Sequence, residues 1–168
     1  MEKTALIEKT FESNISDGKH LVFKIGERDY GIPILDISEI DGRMEITKVP
    51  KSPEYIKGVI NRRGKILPGL DLRLKLGLPP REYDDLTCII IANLFVKNVK
   101  KQMGIIVDTV SEVFNIPLDE IENPPKYSTD NNNEFLSGIG KIKGKMVMLL
   151  NIQNVVYTDE ILDFLAKG

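Results

Sequence analysis

Gly31-Ile32-Pro33-Ile34-Leu35-Asp36-Ile37-Ser38-Glu39 and Gly104-Ile105-Ile106-Val107-Asp108-Thr109-Val110-Ser111-Glu112 are two copies of one pattern, set 73 positions apart. Glycine, isoleucine, β-branched residues, serine and glutamate recur at matching places. A second block repeats as well: Glu54-Tyr55-Ile56-Lys57-Gly58-Val59 matches Glu134-Phe135-Leu136-Ser137-Gly138-Ile139, 80 positions on. That register runs on through Gly64-Lys65 over Gly144-Lys145 and Leu70-Asp71-Leu72 over Leu150-Asn151-Ile152. The second unit is therefore longer between its blocks. Residues 124–133, rich in Pro, Asp and Asn, are where an inserted loop belongs. One matching block arises by chance; two in the same order indicate a duplicated unit.

Each unit reads as strands. Leu21, Phe23 and Ile25 alternate with more variable positions, and Gly26-Glu27 suits a hairpin turn. Residues 30–40 are rich in β-branched types, with Pro33 marking a bend or an edge. Residues 57–61 and 65–72 flank Arg62-Arg63-Gly64, a hairpin tip repeated at residues 141–144. Residues 87–94 form a nearly continuous apolar run, expected to be buried on both faces. Leu70, Leu72, Leu74 and Leu76 have strand spacing, but Asp71 is equally suited to cap a short helix ending at Gly77. The proline- and charge-rich residues 79–85 form the joint between units. A C-terminal helix over about 158–167, capped by Thr158 or Asp159, would place Ile161, Leu162 and Leu165 on one face. Residues 1–17 fray or form a short helix. The expected fold is mainly β: two similar five-stranded antiparallel barrels sharing a hydrophobic interface, with short helices. The sub-barrels span about 19–79 and about 86–152, with exchange of elements between them left open.

The chain carries 23 basic and 25 acidic residues, a net charge of −2 that gives no global attraction to nucleic acid or anionic membrane. Its longest apolar run is too short to cross a bilayer. With one cysteine and no start resembling a secretory signal, a cytoplasmic location is expected. Nucleophilic catalysis usually needs a base, and His20 is the lone histidine, read here as an exposed turn residue. Cys88 opens the apolar run and reads as core packing. No CxxC, HxxH or EF-hand pattern suggests a metal, and Asp84-Asp85 read as solvated joint residues. The glycines of Gly138-Ile139-Gly140 and Gly64 lack a phosphate-binding context. No enzymatic activity and no cofactor are expected. The basic tip Arg62-Arg63-Gly64-Lys65 lacks adjacent aromatics for stacking bases, so nucleic acid is not an expected partner. Two constellations remain. Glu39 and Arg63 are placed to form an ion pair facing a partner, or else an ordinary surface pair. The apolar residues Ile32, Ile34, Ile37, Ile105, Val107 and Val110 belong to the core or to the rim of a groove between barrels.

Tyr30-Gly31-Ile32-Pro33-Ile34, with Ile37-Ser38-Glu39-Ile40, resembles the opening of the CheW family of bacterial chemotaxis coupling proteins. Residues 56–73, Ile-Lys-Gly-Val-Ile-Asn-Arg-Arg-Gly-Lys-Ile-Leu-Pro-Gly-Leu-Asp-Leu-Arg, resemble that family's central signature. Residues 104–113 and 136–140 resemble its second-half motifs, so the likeness runs from about Leu21 to Val156. It implies one CheW-like domain over 1–168, a scaffold joining the cytoplasmic tips of methyl-accepting chemoreceptors to the histidine kinase CheA. In the family, one barrel meets the kinase's own CheW-like regulatory domain, assemblies close into rings, and the groove between barrels meets the receptor hairpin. Recruitment to membrane arrays then runs through partners, without insertion into the bilayer. The partner-binding residues implied or selected on this basis are Ile37, Glu39, Asn61, Arg62, Arg63, Gly64, Val107 and Val110. Arg62 stands where the family usually has an apolar residue, and Gly69 where it has a β-branched one. An alternative reading is a CheW-like regulatory domain cut from a larger chemotaxis protein.

Overall fold

The structure, a computed structural model, describes residues 18–42, 45–123 and 135–156. The expected inserted loop at 124–133, the C-terminal helix at about 158–167 and the first 17 residues lie outside the described residues. Among the described residues, eleven strands follow one another: β1 (Lys19–Ile25), β2 (Arg28–Pro33), β3 (Ile37–Asp41), β4 (Ile46–Thr47), β5 (Ile56–Arg62), β6 (Lys65–Asp71), β7 (Cys88–Val96), β8 (Val99–Val107), β9 (Thr109–Asn115), β10 (Leu136–Ile142) and β11 (Lys145–Leu150). Among the described residues, two short helices, α1 (Leu72–Lys75) and α2 (Ile152–Val156), occupy the same place in the two repeats. Asp71 resolves the two readings of its neighbourhood. Its backbone ends β6 and its side chain accepts from the Leu74 amide at 3.2 Å, capping α1.

The strands form a five-stranded sheet, β10-β11-β2-β1-β9, and a six-stranded sheet, β3-β7-β8-β6-β5-β4. These orders are one arrangement with the halves interchanged. Hairpin β1–β2 lies among strands of the second unit, and hairpin β7–β8 among strands of the first. The joint at 79–85 therefore separates units of sequence, while each sheet draws strands from both sides of it. The mainly β fold with two similar sheets agrees with the sequence reading; its details differ. One sheet has six strands, each sheet contains one parallel pair (β2 with β11, β6 with β8), and both hydrogen-bonded orders are open ladders rather than closed barrels.

The duplication holds at the level of register. Gly31 lies beside Leu149 and, at the equivalent place, Gly104 lies beside Gly69. A bulge falls between Ile56 and Gly58 and again between Leu136 and Gly138. Thr47 pairs with Val59, and Glu122 bridges Ile139 at the matching point. The tips Arg63-Gly64 and Lys143-Gly144 both turn with two positive φ angles, the hairpin geometry that matches strand twist.

Two-sided burial explains the exchange of hairpins. Along β7, Ile90, Ala92 and Leu94 enter a core shared by both sheets, while Ile89 and Ile91 point into a cluster with Ile60, Leu67 and Ile106. Along β1, Leu21, Phe23 and Ile25 enter the shared core, and Val22 joins Ile116, Val147 and Leu149 behind it. Alternate residues of one strand point to opposite faces, so each hairpin needs apolar cover on both sides. A sheet wall supplies one cover and the other sheet supplies the second. Gly69 leaves room that Ile60 fills: a Cβ there would lie 3.1 Å from Ile60 Cδ1.

Candidate functional site

β3 and β5 stand far apart in the six-stranded order, yet their side chains meet. Arg62, at the end of β5, forms ion pairs with both Glu39 and Asp41 of β3. The sheet therefore curls around the Ile60 cluster until β3 and β5 face each other, joined there by side chains. Arg63 follows at the turn, with its side chain 81 % exposed and its guanidinium 3.6 Å from Glu39. Asn61 Oδ1 accepts from the Gly64 amide at 3.2 Å, bracing the tip, and open space surrounds Gly64.

The expected Glu39–Arg63 pair forms, and it is part of a larger group. Glu39 is shared, and Arg62 is its more enclosed partner, only 16 % exposed against 81 % for Arg63. Charge–charge contacts strengthen where solvent is excluded, so Arg62 fixes the carboxylates while Arg63 remains directed outward. Asp41 was missed from sequence. Its signal was its place two residues beyond Glu39 on one strand, where residues share a face.

The second repeat shows what Arg62 replaces. Lys143 and Glu112 occupy the places of Arg63 and Glu39 and approach to 4.0 Å. At the places of Arg62 and Asp41 stand Ile142 and Phe114, which pack on the apolar cluster behind the five-stranded sheet. One repeat has apolar side chains at these two places, the other an ion pair.

The remaining sequence candidates lie elsewhere. Ile37, Val107 and Val110 are buried in the shared core, so at these positions the seam between sheets is packed shut and offers no surface. The exposed apolar residues beside the tips are Ile66 and Met146, equivalent positions on β6 and β11 that the sequence reading did not single out.

A second polar cluster ties the sheets together. Asp108, between β8 and β9, accepts from the Gly26 amide at 2.7 Å, from Arg73 Nη2 at 2.6 Å and from Arg81 Nη1 at 3.0 Å. Burial opposes its ionisation, but Arg73, the Gly26 amide and Arg81 outweigh it and hold its pKa below the ordinary carboxylate range. Tyr83 donates to Asp71 Oδ2 at 2.7 Å; burial, together with Asp71, pushes the phenol pKa upward. The joint between the units is thus latched at Arg81 and Tyr83. Asp84, expected to be merely solvated, accepts from the Leu86 amide at 2.8 Å and shapes a turn. His20 is also corrected. It lies within β1, is only 7 % exposed, and its Nδ1 is 2.9 Å from the Gly18 carbonyl oxygen. Cys88 is partly buried against the shared core. Among the described residues, no group of three or more His, Cys, Asp or Glu side chains is placed to hold a metal ion, and no helix is long and apolar enough to cross a membrane.

Both the sequence and the fold match a known family. A family model described as a CheW-like domain matches residues 19–160. The chain belongs to the CheW-like family. It is 34% identical over 150 residues to Chemotaxis protein CheW of Klebsiella aerogenes, with 88% of each chain covered. It is 32% identical over 158 residues to Chemotaxis protein CheW of Helicobacter pylori, covering 94% of this chain and 93% of that one. Among solved structures it is similar to the crystal structure of scaffolding protein TtCheW from Thermoanaerobacter tengcongensis. There the TM-score is 0.76 and the identity 35%, over 85% of this chain and 94% of that one. Asp41 and Glu39 take the charge of Arg62, which the sequence reading marked as a departure from an apolar position.

Proposed function

We propose that this chain is a cytoplasmic chemotaxis scaffold that couples the tips of methyl-accepting chemoreceptors to the histidine kinase CheA, without catalysis of its own. Family membership supports the coupling role, and one observation points to a contact residue. Arg63 projects from a braced turn beside a carboxylate pair already engaged by Arg62. A guanidinium presented in this way is suited to bidentate pairing with a partner's carboxylate. Ile66 and Met146 support like-on-like contact with the kinase's CheW-like regulatory domain, since each sheet presents an exposed apolar side chain at an equivalent place. Recruitment to receptor arrays then proceeds through these partners.

The test is assembly of the full chain with a CheA fragment carrying the regulatory domain and with a receptor-tip fragment. Arg63→Ala is expected to weaken binding about tenfold, roughly 1.4 kcal/mol. Its stability should change by about 1 kcal/mol or less, because the side chain is exposed. Arg62→Leu restores the apolar residue usual in the family and leaves Glu39 to Arg63 alone. It is expected to weaken binding less than Arg63→Ala. Equal assembly by wild type and folded Arg63→Ala would reduce the tip to a solvated turn.

A further inference from the structure

The two exchanged hairpins differ at their ends. Ile25 faces Arg28 across β1–β2, as Leu94 faces Lys101 across β7–β8. Beyond these equivalent pairs the first hairpin has only Gly26 and Glu27, whereas the second continues through residues 95–100. The added tip turns at Lys97 and Asn98, with φ of 51° and 64°. It carries Phe95, 60 % exposed, and Val99, 53 % exposed. Phe95 faces Lys100 across the hairpin, and Val99 shares the other face with Lys101 two residues on. Each face of the tip thus joins an exposed apolar side chain to a cation.

Folding of the sheet does not require this extension, since the equivalent hairpin does without it. No acidic residue occurs between positions 86 and 107. Among the described residues, no carboxylate pairs with Lys97, Lys100 or Lys101. The tip is also held in place. Gln153 of α2 accepts from the Phe95 amide at 3.1 Å and donates to its carbonyl at 2.8 Å. These bonds occupy the backbone groups of Phe95 that an added strand would need, leaving its side chain as the contact. Lysines at a strand edge commonly guard against aggregation, but an exposed phenylalanine among them has the opposite effect.

We propose that the β7–β8 tip is a docking surface for an acidic polypeptide segment bearing an apolar anchor. The segment's carboxylates meet Lys97, Lys100 and Lys101, and its anchor covers Phe95. Charge complementarity selects such an occupant. One aromatic and three lysines are too few to track a nucleic-acid backbone or to hold a bilayer. The contact is separate from those proposed at Arg63, Ile66 and Met146, and its failure would leave that reading untouched.

A library of short random peptides, selected on the full chain, supplies the probe. Counter-selection uses Lys100→Glu/Lys101→Glu and, separately, Phe95→Ser, each first shown to melt like wild type. The expected winners are rich in Asp and Glu around a Leu, Phe or Trp. They should bind the charge-reversed variant about tenfold or more weakly, which is at least 1.4 kcal/mol. Amide shifts on binding should concentrate at residues 95–101. Enrichment of basic or charge-neutral peptides, or of none, would overturn the proposal. So would a tip-dependent affinity that is higher for phosphatidylglycerol vesicles or for an oligothymidine strand than for the selected peptides.

Discussion

Arg62 and His20 show how one residue changes meaning once its surroundings are known. Arginines at adjacent tip positions look alike in sequence, but only Arg62 is enclosed and pairs with both Glu39 and Asp41, while the exposed Arg63 touches Glu39 alone. His20 has a polar side chain beside Gly18 and Lys19, which reads as a turn; strand pairing with Pro33 and Phe114 carries it inside instead. Burial lowers its pKa, and the Gly18 carbonyl and the charge of Asp36 oppose that shift only in part. The folded state therefore binds this proton more weakly than the unfolded chain. Its contribution to stability is complete above the unfolded value of about 6.5 and is lost as pH falls through it. Asp36 acts in a lower window and in the opposite direction. Burial raises its pKa, with the charge of His20 opposing, so its ionisation disfavours the fold as pH rises through about 3.9. We expect the urea midpoint to drop between about pH 7.5 and about pH 5.5, and His20→Gln to flatten that drop. A His20 ring titrating above the unfolded value by NMR would contradict this account.

The elements are specified by local rules that the repeat displays twice. Paired positive φ angles at Arg63-Gly64 and Lys143-Gly144 make tight hairpins, and Asp71 caps α1. The bulges at Gly58 and Gly138 are less local, because another segment presses on each. Gly58 has φ 152°, and a Cβ there would overlap the carbonyl oxygen of Thr47 on β4. At Gly138 a Cβ would run into the side chain of Ile121 and lie 3.2 Å from the Glu122 carbonyl oxygen. Side chains yield more readily than backbone. Gly58→Ala is therefore expected to cost about 3 kcal/mol or more, and Gly138→Ala less. Thermal melts of both variants check the order; a Gly58→Ala protein as stable as wild type would mean that β4 does not pack there.

At the scale of the whole molecule the exchange of hairpins has a direct consequence. Fragments cut at the joint, residues 1–80 and 81–168, would each lack part of both sheets and leave one face of β1 or β7 uncovered. Each is expected to be largely unfolded alone, and an equimolar mixture to recover the native circular dichroism and a cooperative melt. Either fragment folding alone as a monomer would refute a shared core of this kind. The sequence by itself determined much: the duplication, the strands, the two-sided burial of residues 87–94, the hairpin tips and the family. All of these rest on alternation and turn chemistry, which depend on near neighbours along the chain. Which hairpin enters which sheet was decided only by the tertiary structure, because an apolar strand reads the same whichever wall covers it. The pairing of Glu39 with Arg62 followed from sheet curvature, which brings β3 and β5 together and has no signature in either strand. The burial of Val107 and Val110 had the same origin: two sheets share one core, and what looked like the rim of a groove became its interior.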